Sequence, residues 1–511
     1  MTLPTAGVRD IVTSHEGRVA QTARQMAASG WPWNATTVAV PDVGMQVDSD
    51  GAKRLRPDPS LPPLVVNPWI VPVINGEVRL QKPPLPYWVT AVMFKLVGVN
   101  EWSARAVPAI LWALLTLIVA DLAAMLIHPR MAVWAAGIWI SSYFAFDEFR
   151  KCMADPYLAF FSIAAVWAGV KGMQNDECRM MNEESTSRSS FCIHHSSFII
   201  LFYLFLALGF LSKGPAVFIP VLAGIASAWT LRRPRSRSFS LSPHLAGGLL
   251  FFLIALPWYL IVWHRVPNAL LLWKYESLGG FGEKNEKPEP FWFYLPQVLL
   301  IALPWTFVWI AGLFAAVRNG WRRGSALIWQ AVIVLVFSLI TQKKNAYLLP
   351  ATAAQTLLIV QGLRWWFAGA RRLGKGRSTR RMAMGLATLF AIAIAVCFPL
   401  NAKFNDNQRS AKAVCADLVR SLMVRQVHVP INPATLPPDA AFYLPLDSTS
   451  GSPSPWNREI VVIDDRRNAV DESSRIFTSF FPGRTVVEVD RLSLKSSPLD
   501  FRWKVFEVTL K

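Results

Sequence analysis

At 511 residues, 53% apolar and only 17% charged, the chain falls below the roughly one-quarter charged residues of a soluble domain, which excludes an ordinary soluble globule. A net charge of +19 would in a soluble protein raise nucleic acid as a partner. Here the basic residues stand mainly in short linkers between long apolar runs, where they set topology and meet anionic lipid, so no nucleic-acid partner is expected.

Residues 1–79 contain no apolar run of the roughly twenty residues that a span needs. The chain is therefore expected to begin in a first outer loop, 1–87: either an initial span is missing upstream, the favoured reading, or the first segment reaches the outside with the help of later ones; no cleavable signal peptide is visible. Within that loop Thr13–Gly30 reads as a helix. Thr13 and Glu16 fit a capping box, and Val19, Ala23, Met26 and Ala27 share one apolar face. Glu16 is thus either a cap or an acidic group held at the membrane's outer face, and His15 beside it can act as a base near neutral pH. Farther on come Asn75-Gly76-Glu77 and then Gln81–Trp88, whose prolines stiffen an extended entry into apolar sequence. Lys82 stands at that entry. Its ammonium either meets a lipid phosphate or, with Tyr87 and Trp88, merely anchors the interface.

Candidate spans follow near 103–127, 131–149, 155–172, 198–212, 214–230, 245–264, 291–317, 325–341, 346–363 and 382–400, with 84–98 a short re-entrant segment or first span. The Arg/Lys-rich linkers 231–240, 318–324 and 364–381 all fall on one side of this arrangement, which the positive-inside rule makes cytoplasmic. Residues 1–87, 150–154, 212–214, 265–290, 342–345 and everything after 400 then face outside. Asp155 opens one span. A carboxylate at membrane depth costs about 2.5–3.5 kcal/mol on insertion scales and is functional by default, although helix capping by Asp before Pro is the plainer alternative. The cytoplasmic stretch 173–197 reads as a polar, flexible insertion. Lys213, in the tight outer turn Ser212–Pro215, calls for an anionic partner, and Lys343 and Lys344 with Tyr347 repeat the pattern. Each lysine alone is explained as an interface residue; their shared sidedness suggests a site for an anionic lipid head. The charged loop 265–290 is either plain solvated chain or a lid. Residues 401–511, with a helix at Ala411–Met423 and strands at Ile460–Ile463, Thr485–Val489 and Lys504–Thr509, read as a small α/β domain outside the membrane. The five cysteines Cys152, Cys178, Cys192, Cys397 and Cys415 have no metal spacing.

Taken in order, these motifs resemble the bacterial branch of the protein O-mannosyltransferase superfamily, the aminoarabinose-transferase-like membrane glycosyltransferases with the C-type fold. The matching residues are His15-Glu16-Gly17-Arg18, Asn75-Gly76, Lys82–Trp88, Asp155–Phe161, Lys213–Pro215, Leu303–Trp305 and Tyr347–Pro350. The resemblance implies an all-α polytopic membrane protein of about 10–12 transmembrane helices. It would have a first outer loop with amphipathic helices (1–87), a transmembrane glycosyltransferase domain (88–400) and the small α/β domain (401–511). It implies inverting transfer of a sugar from a polyprenyl-phosphate carrier to a lipid or protein acceptor at the outer face of the cytoplasmic membrane. Glu16, His15 and Arg18 would act near the acceptor. Lys82 and Lys213 would lie on the donor phosphate, Tyr87 would bind substrate, Asp155 would face the cavity, and Lys344 with Tyr347 would close the donor pocket. Where the family has its first acidic residue this chain has His15, so Glu16, His15 and Asp155 all remain candidate bases. Gln81 stands where some relatives place a Glu that joins a metal site, so no metal or other cofactor is expected. The rival class is a transporter or flippase of a charged lipid or solute, weakened by the lack of an obvious inverted repeat.

Overall fold

A computed structural model describes residues 14–40, 43–47, 53–57, 61–183, 195–229, 241–278, 289–318, 325–340, 343–375, 377–385, 388–393, 458–464, 486–491 and 503–510. The chain divides into two compact units. One comprises Met1–Leu3, Gln81–Pro86 and Ala106–Phe398; the other comprises Pro4–Leu80, Tyr87–Arg105 and Pro399–Lys511.

In the unit containing the N-terminal loop, α1 (Ser14–Ala28) forms where a helical apolar stripe was expected, and Val19, Ala23, Met26 and Ala27 are all buried along it. Thr13, the expected cap, lies outside the described residues. Beyond α1 the chain folds as nested antiparallel ribbons. Strand β1 (Val38–Val40) pairs with β4 (Leu64–Val66), and between them β2 (Val43–Val47) pairs with β3 (Lys53–Pro57). A third ribbon, β5 (Val73–Ile74) with β6 (Glu77–Val78), turns on Asn75-Gly76, both at positive φ (50° and 80°). That is the turn which matches the twist of paired strands and which Asn-Gly favours. Among the described residues of this loop, one long helix stands beside three ribbons. The loop leads into α2 (Leu85–Val97) and α3 (Glu101–Leu126). The tail strands β7 (Arg458–Asp464), β8 (Val486–Arg491) and β9 (Trp503–Leu510) form a sheet in the order β7-β9-β8, at the three places the alternation indicated. The helix read at Ala411–Met423 lies outside the described residues.

The other unit is helical. After α4 (Ala132–Ile140) and α5 (Tyr143–Glu148) come α6 (Ala154–Glu183), α7 (His195–Lys213), α8 (Phe218–Trp229), α9 (Leu241–Arg265), α10 (Ala269–Leu278), α11 (Tyr294–Ile301), α12 (Thr306–Arg318), α13 (Ser325–Ser338) and α14 (Thr352–Arg372). Five described helical runs are long and apolar enough to cross a membrane, or six if α11 and α12 are one bent span. This is a polytopic membrane protein. That count is taken among the described residues by length and composition alone, and the span expected at 382–400 is described only in part. Segment 131–149 is α4 and α5, of 9 and 6 residues. The span read at 291–317 is bent by 113° between α11 and α12. In the stretch 173–197, read as an irregular insertion, α6 continues to Glu183 and α7 starts at His195. The loop 265–290 contains α10.

One of the five runs, Ser197–Trp229, reverses direction in its middle. Gly214 takes φ +65°, a region nearly closed to other residues. Beyond it Val217 packs on Gly209, and the Phe218 ring lies 5.8 Å from that of Phe210, whereas positions eight apart in a straight helix are about 12 Å apart. Helices α7 and α8 are therefore two segments, as the sequence indicated, both packed on α6 through Leu158, Ala165, Leu206, Val217 and Val221.

Candidate active site

The reversal at Lys213–Gly214 sets the Lys213 ammonium against the first turn of α6, where it pairs with Asp155. The carboxylate is favourably placed at a helix N-terminus and is nearly buried, at 8% exposure. Lys213 Nζ also lies 4.4 Å from the ring centroid of Tyr347, a cation–π contact. Tyr347 in turn rests 5.5 Å from Phe337 on α13. Lys82 and Lys344 add their positive fields at Asp155. The structure therefore brings together, within one unit, five residues from four separate stretches of sequence: Lys82, Asp155, Lys213, Lys344 and Tyr347.

One neighbour escaped the sequence reading. Tyr294 pins the peptide of Lys344: its hydroxyl donates to the Lys344 carbonyl at 3.1 Å and accepts from the Lys344 amide at 3.2 Å. Only its place after a proline in an aromatic run marked it, and such runs are common near membranes. Lys343, paired in thought with Lys344, is turned elsewhere, its ammonium donating to the carbonyls of Glu289 (2.9 Å) and Ile340 (2.6 Å). Close by in the chain, Lys151 holds Asp147 at 2.8 Å and Glu148 at 2.5 Å. Burial works against the Lys151 charge, yet Glu148 and Asp147 raise its pKa above the ordinary lysine value, so this cluster is a fixed ion pair.

In the other unit the acidic candidate has a partner that sequence reading missed. Glu16, 3% exposed, receives two hydrogen bonds from the Arg105 guanidinium at the start of α3: Nε to Oε1 at 2.6 Å and Nη2 to Oε2 at 3.1 Å. The pair joins residues 89 apart. Arg105 sits in an otherwise apolar run, which could have flagged it as a buried charge in need of a carboxylate. His15 stands exposed one residue before Glu16, and Arg18 is half-buried on the same helix. The Asn75-Gly76 turn is docked on α1: Gln21 donates to the Asn75 side chain at 3.4 Å, and the Asn75 amide donates to Gln25 at 3.2 Å. Tyr87, expected to bind substrate, is fully buried, and its hydroxyl accepts from Arg79 Nε at 3.1 Å. Among the described residues no three His, Cys, Asp or Glu side chains converge as a metal site.

Residues 63–273 match the family model described as dolichyl-phosphate-mannose-protein mannosyltransferase. An undecaprenyl phosphate-α-4-amino-4-deoxy-L-arabinose arabinosyl transferase of Edwardsiella ictaluri is 30% identical over 308 residues, 57% of this chain and 51% of that protein. The namesake from Pectobacterium carotovorum is 28% identical over 344 residues, 64% of this chain and 57% of its own. An uncharacterised protein of Aquifex aeolicus is 27% identical over 301 residues, 57% of this chain and 54% of its own. The chain thus spans about half the length of these relatives. The crystal structure of ArnT from Cupriavidus metallidurans bound to undecaprenyl phosphate superposes with a TM-score of 0.68 at 16% identity, covering 99% of this chain and 95% of that one. Residues 63–273 are thus similar in sequence to the dolichyl-phosphate-mannose-protein mannosyltransferase family, and the chain shares its fold with ArnT along nearly its whole length.

Proposed function

We propose that this protein is an integral-membrane glycosyltransferase. It takes a sugar from a polyprenyl-phosphate carrier and passes it to a lipid or protein acceptor at the outer face of the cytoplasmic membrane. The observation that carries the reading is the lysine cluster around Asp155: Lys213 in direct contact, Lys82 and Lys344 acting on the same carboxylate. So much positive charge about one nearly buried acid suits a dianionic or developing phosphate better than it suits Asp155 alone.

In the proposed reaction an acceptor oxygen attacks the anomeric carbon from the side opposite the phosphate, inverting that centre. The carbon–oxygen bond to the phosphate breaks, its electron pair staying on the phosphate oxygen. Lys82, Lys213 and Lys344 stabilise that growing charge, which counts for most where water is sparse. The Tyr347 ring holds Lys213 in place and closes the donor pocket with Lys344, and Arg18 on α1 is assigned to substrate binding. Where the acceptor is a hydroxyl, its proton goes to a base, for which His15, Glu16 and Asp155 are the candidates. The reaction as written uses no metal, in keeping with Gln81 at the position where a metal-binding relative would have a Glu.

The reading is tested in membranes from cells expressing the protein, by quantifying free polyprenyl phosphate released from a panel of lipid-linked sugars. Asp155→Asn, Lys213→Ala and Lys82→Ala, at equal expression, are expected to lower release by about 10²-fold or more, the usual effect of losing one preorganised charge in such a site. No release by correctly inserted wild type with any donor would overturn it in favour of transport.

A further inference from the structure

The turn that follows α1 carries an aromatic stack that the site does not use. The Trp31 and Trp33 rings lie 5.5 Å apart and only 4° from parallel. Trp69 continues the stack 6.5 Å from Trp31, and the Lys95 ammonium, in the last turn of α2, lies 5.0 Å from the Trp31 ring centroid. Trp33 is 79% exposed, yet the turn that presents it is fixed. The Trp31 amide donates to Asn34 Oδ1 at 2.9 Å, the Asn34 amide to the Trp31 carbonyl at 3.0 Å, Asn67 Nδ2 to the Pro32 carbonyl at 3.2 Å and Trp69 Nε1 to the Gly30 carbonyl at 3.1 Å. A bare indole held rigidly in water forgoes most of the free energy its apolar area would gain on burial.

The depth of this stack follows from its neighbour. Helix α3 begins at Glu101 and runs for 26 residues, about 39 Å at 1.5 Å per residue, longer than a hydrocarbon core of about 30 Å. Its first residues therefore stand at a membrane–water boundary. Lys95 precedes them by six positions, and the intervening Leu96, Val97 and Val99 are exposed. Trp side chains prefer that boundary, and a lysine there meets anionic headgroups. A sugar-binding platform would need polar side chains beside the rings, but the nearby amides of Asn34 and Asn67 are already used inside the turn. We propose that Trp31, Trp33 and Lys95 form a membrane anchor, seated in the interfacial zone of the leaflet where α3 begins and holding an anionic phospholipid headgroup.

The test is site-directed spin labelling. Trp33→Cys, in a background with the five native cysteines replaced by serine, is labelled and reconstituted in phosphatidylcholine–phosphatidylglycerol vesicles. A detergent melting temperature equal to that of the background protein shows that the variant folds. Collision rates with oxygen and with a water-soluble nickel complex then give depth. A label shielded from nickel and reached by oxygen, at headgroup depth, is the expected result; a label as open to nickel as one in bulk water overturns the anchor. In that second case a raised KM for the acceptor in Trp33→Ala would instead make the stack a saccharide platform. The headgroup is tested with native cysteines in place: the melting temperature in nanodiscs should rise when phosphatidylglycerol replaces phosphatidylcholine, and Lys95→Glu should lose most of that rise. A full rise in Lys95→Glu would overturn the assignment of the headgroup to Lys95.

Discussion

At the scale of single residues, the Glu16–Arg105 pair is the clearest lesson in how a candidate changes meaning once its partner is seen. In sequence Glu16 is a cap or a base; in the fold it is one half of a buried, bidentate ion pair. Removing one half leaves the other charge buried and unpaired, so Arg105→Met is expected to cost about 3–5 kcal/mol, measurable as a lowered melting temperature in detergent. Glu16→Gln with Arg105→Met should recover part of that loss. Among His15, Glu16 and Asp155, removing the base should cost about 10²-fold or more in transfer to a hydroxyl. His15→Gln, Glu16→Gln and Asp155→Asn, compared at equal expression, identify it; equal small losses in all three would place the base elsewhere. Asp155, Lys213 and Tyr347 were legible because charges in tight turns between apolar runs are conspicuous. Tyr294 and Arg105 were not: each does its work through a contact 50 or more positions away, and no local pattern encodes that distance.

At the scale of elements, spans that are long and uniformly apolar, such as α3 and α9, were readable from composition, and so were the three strands of the tail. The breaks were not. Segment 131–149 and the bent pair α11–α12 are as apolar as a straight span, and hydropathy averages over the bend. Glycine marks where backbones meet. A Cβ added at Gly312 on α12 would lie 2.0 Å from the Leu358 carbonyl oxygen of α14, and one added at Gly362 would lie 2.3 Å from the Val308 carbonyl oxygen. Small residues let membrane helices approach this closely. Gly312→Val should therefore push α12 from α14 and lower the melting temperature, whereas Gly248→Ala, with open space around its Cβ position, should leave it nearly unchanged. An equal effect of the two would show that the α12–α14 contact is unimportant to stability.

At the scale of the whole molecule, the charge distribution that suggested membrane topology also sets the expected orientation. The proposal places linker 364–381, with its seven basic residues in Arg364, Arg371, Arg372, Lys375, Arg377, Arg380 and Arg381, in the cytoplasm and residues 401–511 outside as a small domain. Fusions ending in a periplasm-active phosphatase or a cytoplasm-active fluorescent protein, made after residue 375 and after residue 511, should report opposite sides. Matching sides would refute the orientation. The polytopic architecture was legible because apolar runs report directly on the solvent that surrounds them.

The length of chain between Glu16 and Arg105 also has a bearing on synthesis. At 5–20 residues per second, the 89 positions between them take roughly 4–18 s to make. During that interval α1 has been translated while its ionic partner is still on the ribosome or in transit to the bilayer. Ribbons β2–β3 and β5–β6 can close at once, since their strands are separated by only a few residues. The ion pair of α1 must wait for α3, although the Asn75 turn can dock on α1 earlier. A pause in translation between these points would prolong the time for which a nascent, uncompensated carboxylate is open to chaperones and proteases, so the yield of mature protein should depend on codon speed across this stretch.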